Sequence, residues 1–125
     1  TVSLVVLNVT FQSEAAPDGT VSVDRDVINQ IYREAAEGEA KGLLKYSEEQ
    51  NVSADMMGED AAVVIEALET HSRTGFVDLS LPDEGGSRSY RLPLTHVKVF
   101  GWYDNEMGSY TRRLGELTTH IATTL

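Results

Sequence analysis

Cysteine is absent from the 125 residues, so within the chain no disulfide framework, thiolate metal cluster or thiol nucleophile can form. Proline is scarce, at 3 residues, and no apolar run approaches the roughly 20 residues of a membrane-spanning helix. Base is in short supply as well: 10 Lys+Arg face 20 Asp+Glu, a formal net charge of −10 at pH 7. A field of that sign repels the nucleic-acid backbone and anionic headgroups. Neither nucleic acid nor a membrane is therefore expected as a partner, and an anionic small molecule would need a local positive site that the sequence does not display. Thr1 opens directly on a strand-like segment with no basic n-region of a signal peptide. The expectation is a soluble chain of the reducing cytoplasm, and a first residue set in mid-strand hints at a piece of something longer.

What is present suffices for one core: 41% hydrophobic residues in a length too short for two ordinary domains. Val2 to Phe11 is β-branched and aromatic and predicts a long strand covered on most of both faces. Ala16-Pro17-Asp18-Gly19 has turn chemistry. From Asp24, an N-cap candidate, Val27, Ile31 and Ala35 fall at helical intervals with Ile28 and Tyr32 beside them, and Gly38 is placed to end the helix at C′. Gly42 to Tyr46 and Asn51 to Ala54 predict an irregular connection with brief pairing, and Ala61 to Leu68 a strand. Gly75 to Leu81 and Tyr90 to Tyr103 predict a hairpin with a mobile tip at residues 82–87. Tyr110, Leu114, Leu117 and Ile121 form the apolar stripe of a last helix, expected to pack on the sheet as core. Strands and helices do not alternate regularly. The fold class is therefore α+β, a mixed or antiparallel sheet with helices packed on one face.

Three blocks occur in order along the chain: Glu34-Ala35-Ala36-Glu37-Gly38 with Lys41-Gly42-Leu43-Leu44-Lys45-Tyr46-Ser47-Glu48-Glu49, then Val52-Ser53-Ala54-Asp55, then Lys98-Val99-Phe100-Gly101-Trp102-Tyr103-Asp104-Asn105-Glu106-Met107-Gly108. With them the sequence resembles the catalytic domain of the phosphorylating glyceraldehyde-3-phosphate dehydrogenases. The resemblance covers about Val2 to Ile121. It departs at Met107, where an aromatic residue is usual, at Ser109-Tyr110, where Tyr-Ser is usual, and at Gly75 to Leu92, a longer hairpin than most members carry. It implies the C-terminal portion of a catalytic domain over residues 1–125, without the dinucleotide-binding domain. The full-length protein would be a cytoplasmic, homotetrameric oxidoreductase of glycolysis that oxidises and phosphorylates glyceraldehyde 3-phosphate with NAD and inorganic phosphate. The family's catalytic cysteine, histidine and phosphate-binding arginine lie upstream of the matching segment, so no catalytic residue is expected here and the chain alone should be inactive. One contact carries over: Asn105 would hold the nicotinamide carboxamide, since an amide offers both a donor and an acceptor to another amide. A dehydrogenase of a related sugar-phosphate aldehyde and a non-enzymatic α+β binding or regulatory module are the alternatives.

By propensity alone, Asn105 would cap the last helix. His71, His96 and His120, expected in a loop, at a strand start and at a helix end, have no spacing for a shared metal and read as surface or structural. Asp55, Glu59 and Asp60 read as a solvated acidic loop, and Arg112 as half of an i, i+4 ion pair with Glu116. Trp102 and Tyr103 should alternate across a strand, one buried against a helix and the other facing a neighbouring surface. Gly85-Gly86 sits in a hairpin tip and makes no phosphate-binding turn.

Overall fold

The computed structural model of the chain describes residues 1–14, 20, 23–106 and 108–125. The turn expected at Ala16-Pro17-Asp18-Gly19 and the departure at Met107 lie outside them. In order come β1 (Val2–Gln12), α1 (Arg25–Glu37), β2 (Leu44–Ser47), β3 (Val63–Glu66), β4 (His71–Asp83), β5 (Gly86–Asp104) and α2 (Ser109–Thr124), with short 3₁₀ turns at Ser53–Met56 and Ala67–Glu69. The strands form one sheet in the order β1-β5-β3-β2, with β4 also on β5. Only β2 and β3 run parallel, so the sheet is mixed and the fold is α+β. Asn51 to Ala54 contributes no strand; the segment turns instead into the 3₁₀ helix.

β5 organises the sheet. Its residues Leu94 to Asp104 pair with β1 from Gln12 back to Val2, while its other edge takes β4 from Gly86 to Lys98 and β3 at Gly101 and Trp102. Where the three long strands meet, Thr95 Oγ1 donates to Ser13 Oγ at 2.7 Å and pairs with Thr74 Oγ1 at 2.7 Å. These buried hydroxyls satisfy one another in place of water. Beyond that point β4 and β5 continue as a ribbon whose connection is only Glu84-Gly85, shorter than the tip expected from the sequence.

One face of the sheet is covered by α1. The Asp24 side chain accepts from the Val27 N–H at 2.9 Å, as its capping chemistry predicts. The helix stops at Gly38, whose φ of −105° makes it the C-cap, not the left-handed C′ residue expected; a Cβ there would stand 3.0 Å from the Glu34 carbonyl oxygen. The buried line of α1 is Ile28, Asn29 and Tyr32, not Val27 and Ile31, which stay exposed. Asn29 Nδ2 donates to the Ala67 carbonyl at 3.1 Å, and that anchor rotates the helix one position from its most apolar stripe. Ile28 and Tyr32 pack with Phe11, Leu44, Tyr46 and Val63 around Ile65, Val97 and Val99. On the opposite face a smaller cluster joins Met56, Ala61 and Val64 to Val2 and Trp102.

Two expectations about burial fail. β1 is an edge strand whose Leu4, Val5, Val6, Leu7 and Val9 are exposed on both faces. α2 does not lie on the sheet: Tyr110, Leu114, Leu117 and Ile121 are 61, 64, 53 and 49% exposed. Only its start is tied down, through Ser109 Oγ to the Ala62 carbonyl (3.3 Å), Arg113 Nη2 to the Asp60 carbonyl (3.1 Å) and Arg112 Nη1 to Asp60 Oδ2 (2.9 Å). Arg112 also makes the expected i, i+4 pair with Glu116, at 3.0 Å.

Gly101 marks the tightest crossing. A Cβ there would meet Val63 Cγ2 at 2.5 Å and Val5 Cγ1 at 3.3 Å, so β1 and β3 close over a strand that has no room for a side chain. Gly101→Ala is expected to destabilise the chain by about 1–3 kcal/mol. Urea unfolding followed by circular dichroism checks this, and an unchanged midpoint would contradict the packing described.

Candidate functional site

The site forms where β5 ends and the chain reverses into α2. Asp104, the last residue of β5, is buried. Its Oδ2 accepts the Gly58 N–H at 2.7 Å and its Oδ1 the Glu106 N–H at 2.9 Å. The second bond is an Asx turn, in which an aspartate accepts from the backbone two residues on and bends the chain out of the strand. Gly108 is buried against the Glu59 carbonyl, which a Cβ would strike. Ser109 takes the left-handed φ of 47°, uncommon for a residue with a Cβ.

Asn105 is held inside this reversal at three points. Its N–H donates to the Thr1 carbonyl at 3.1 Å, its Nδ2 to Ser3 Oγ at 3.1 Å, and its carbonyl accepts the Tyr110 hydroxyl at 2.7 Å. Its Oδ1 is buried without a hydrogen-bond partner among the described residues. Asn105 does not cap α2; that position belongs to Gly108, with no side-chain bond. One Nδ2 hydrogen is thus engaged by Ser3, while Oδ1 is enclosed by the chain and left unpaired, a polar group whose burial carries a cost. Trp102, beside this turn, donates Nε1 to Glu66 Oε2 at 2.9 Å, and Asn51 Nδ2 reaches the same oxygen at 2.9 Å. Its ring packs on the Met56 cluster; both Trp102 and Tyr103 are half-buried.

The other candidates stay apart from this end of the sheet. His71 begins β4, where a loop was expected, and meets Phe100 edge-on at 6.5 Å. His96 lies within β5, its Nδ1 2.9 Å from Thr10 Oγ1, and His120 lies in α2. No grouping of histidine and carboxylate suited to a metal occurs among the described residues. Asp55 accepts the Val52 N–H at 2.8 Å and Asp60 binds Arg112, so both serve as local braces. Glu59 pairs with Lys45 Nζ at 2.6 Å and accepts the Ala61 N–H at 3.0 Å. Burial alone would raise its pKa, but the bonds from Lys45 and Ala61 and the Lys45 charge outweigh burial and hold the carboxyl below its ordinary value. Between α1 and β2 a wider concavity is lined by Arg33, Lys41, Tyr46 and Glu48. There Arg33 pairs with Glu48 and stacks 5.0 Å over Tyr46, so its charge is engaged within the chain.

Asn105 was singled out in the sequence, whereas Asp104, Ser3, Gly58 and Tyr110, which surround it, were not. Asp104 had a local signal, an aspartate ending a strand before a turn. Ser3 and Gly58 reach the site across 102 and 46 residues of chain, respectively from Asn105 and Asp104, and leave no local mark.

Comparison with known proteins bears on this arrangement. The family model described as glyceraldehyde 3-phosphate dehydrogenase, C-terminal domain, matches residues 2–105. "Glyceraldehyde-3-phosphate dehydrogenase 2" of Streptomyces avermitilis is 32% identical over 123 residues, covering 95% of this chain and 31% of the relative. "Glyceraldehyde-3-phosphate dehydrogenase 1" of Bacillus subtilis is 37% identical over 100 residues, 80% of this chain and 24% of the relative. "Glyceraldehyde-3-phosphate dehydrogenase" of Streptomyces coelicolor is 31% identical over 126 residues, 97% of this chain and 32% of the relative. The chain thus spans a third or less of the length of these relatives. It belongs to the glyceraldehyde 3-phosphate dehydrogenase C-terminal domain family.

The Glu59 pairing predicts an acid response. A carboxyl whose folded pKa lies below its unfolded value contributes stability that is complete above the unfolded pKa, about 4.3 for glutamate, and is lost as pH falls through the folded one. Thermal midpoints of the chain should therefore decline on acidification below about pH 4.3, with a shallower decline in Glu59→Gln. Identical slopes in the two proteins would remove Glu59 from the acid response.

Proposed function

Proceeding from that membership, we propose that the chain is the C-terminal portion of the catalytic domain of an NAD-dependent, phosphorylating glyceraldehyde-3-phosphate dehydrogenase, in which Asn105 orients the nicotinamide. The observation that carries the reading is the buried, unpartnered Oδ1 of Asn105. A nicotinamide carboxamide has an NH₂ to donate to that acceptor, so the residue fits the group. NAD, when bound, supplies the hydride acceptor for aldehyde oxidation. The chain's own part is positional. Asn105 accepts one carboxamide N–H, Ser3 holds the other end of the Asn105 amide, and Asp104 and Tyr110 fix its backbone. An amide that cannot swivel presents one edge only, which selects one ring orientation and excludes its flip.

The chemistry at the substrate needs groups this chain does not have. With no cysteine, it offers no thiolate to attack an aldehyde; a nucleophile, a proton-transferring histidine and a phosphate-binding arginine would come from the rest of the protein. The exposed faces of β1 and α2 suit the same reading: both carry apolar side chains at the spacing of buried elements, as surfaces covered by the remaining domain and by other subunits of a homo-oligomer would. A glycolytic, cytoplasmic setting follows from the proposed activity.

The purified chain is expected to give no NAD reduction dependent on aldehyde and phosphate, and its open reading frame to encode, upstream of Thr1, a dinucleotide fingerprint and a cysteine nucleophile. Turnover by the chain alone would sink the proposal, as would an upstream sequence without those features. In the enzyme carrying the domain, Asn105→Ala should weaken NAD binding by roughly 3- to 10-fold, the worth of one neutral hydrogen bond. Calorimetric titration reads this directly, without turnover.

A further inference from the structure

We infer that the sheet carries a site for a phosphate group, built from Arg73, Lys98, His71 and His96 with Thr10 and Asn8 at its edge. The inference rests on strand register and is independent of the nicotinamide reading. The sequence holds these cations as two separated pairs, His71 with Arg73 and His96 with Lys98, and strand pairing brings the pairs side by side.

Val97 and Val99 pack with Ile28 and Tyr32 of α1, so alternation turns His96 and Lys98 to the other face of β5. The register sets Arg73 and Thr10 on either side of His96, and His71 and Asn8 on either side of Lys98. Residues paired across neighbouring strands share a face, which gives two rows of three, Arg73-His96-Thr10 and His71-Lys98-Asn8. Two contacts agree with this placement. His96 Nδ1 lies 2.9 Å from Thr10 Oγ1, and His71 meets Phe100, two residues beyond Lys98, edge-on at 6.5 Å. His71, Arg73 and His96 are exposed and Lys98 is half-buried.

Every side chain in the two rows can donate a hydrogen bond, and none carries negative charge. Arg73 and Lys98 are diagonal neighbours, about 7–8 Å apart at the backbone and within reach of a common group between them. A guanidinium meets two phosphate oxygens at once, and an ammonium adds a point charge. The imidazoles and the Thr10 hydroxyl supply further donors, which suits a dianion with several acceptor oxygens. Among the described residues neither Arg73 nor Lys98 forms an ion pair, whereas Arg33, Lys45, Arg91, Arg112 and Arg113 each have a carboxylate partner. β1 and the stretch of β5 from Leu94 to Tyr103 contain no acidic residue. Glu66, ahead of β4, is bonded to Asn51 and Trp102. With 20 Asp+Glu against 10 Lys+Arg, two cations left unpaired side by side point to a ligand that brings its own negative charge. The face is open to water, so the site is weak, with a Kd on the order of 1 mM.

Amide spectra of the labelled chain test this, titrated with sodium phosphate against sodium chloride at constant ionic strength. Phosphate should shift the resonances of His71, Arg73, His96 and Lys98 saturably, and chloride should not. Methyl phosphate should shift the same resonances, and the tighter of the two ligands tells free from esterified phosphate. Arg73→Gln/Lys98→Gln should weaken phosphate binding about tenfold. Arg25→Gln/Arg88→Gln removes the same charge from exposed positions outside the array and should leave binding unchanged, with circular dichroism verifying that both variants fold. Shifts in the unaltered chain that fail to saturate, or that map away from the two rows, would overturn the site. Equal weakening in the two double variants would overturn it as well, since it would mark the response as one to net charge alone.

Discussion

Both edges of β5 are hydrogen-bonded, to β1 along one side and to β4 and then β3 along the other, and that shared pairing fixes almost everything else. The register Ser3↔Tyr103 brings the Ser3 hydroxyl to Asn105. A one-residue slip of β1 would turn Ser3 to the opposite face, and a two-residue slip would move it about 7 Å. The site at the end of β5 is thus set by pairs formed along the whole of β1. Ala cannot replace Gly101 without displacing the Val63 side chain of β3 and crowding Val5 of β1, which makes the packing of those strands on β5 part of the same constraint.

Past the ladder, a buried carboxylate takes over. Asp104 gathers the Gly58 and Glu106 N–H groups, so the turn that carries Asn105 is fastened both to the loop before β3 and to its own next residues. Gly108 lets the chain pass under the Glu59 carbonyl, and Tyr110 returns from the first turn of α2 to hold the Asn105 carbonyl. Sequence order Ser109-Tyr110 therefore does not cost the region its tyrosine: here the hydroxyl braces the asparagine through its backbone. The net charge of −10 and the fixed acceptor at Asn105 agree in their chemistry. A neutral amide donor is a group that such a surface can receive without a cationic clamp.

Local chemistry made much of the fold legible. Asp24 announced α1, the β-branched run announced β1, and Glu84-Gly85-Gly86 announced the hairpin, because capping, alternation and turn formation are decided within a few residues. Coverage was not legible. The apolar stripes of β1 and α2 state that a surface is to be covered and say nothing of what covers it; in this chain Leu7 and Leu114 stay exposed. The one-position rotation of α1 was equally hidden, since it follows from Asn29 reaching Ala67, a contact across 38 residues. At the site, Asn105 stood out through a resemblance, while the groups that hold it arrive from β1, the 3₁₀ loop and α2, and only folding assembles them.

The central claim of the proposed function is that the unpaired Oδ1 of Asn105 accepts a carboxamide N–H. Nitrogen-15 spectra of the labelled chain, titrated with nicotinamide mononucleotide and separately with nicotinic acid mononucleotide, test it most directly. These ligands share ring, ribose and phosphate and differ in the amide. The Asn105 side-chain and backbone resonances should shift with the first and stay in place with the second, whose carboxylate has no hydrogen to donate. Equal shifts with both ligands, or no shift at Asn105 with either, would contradict it.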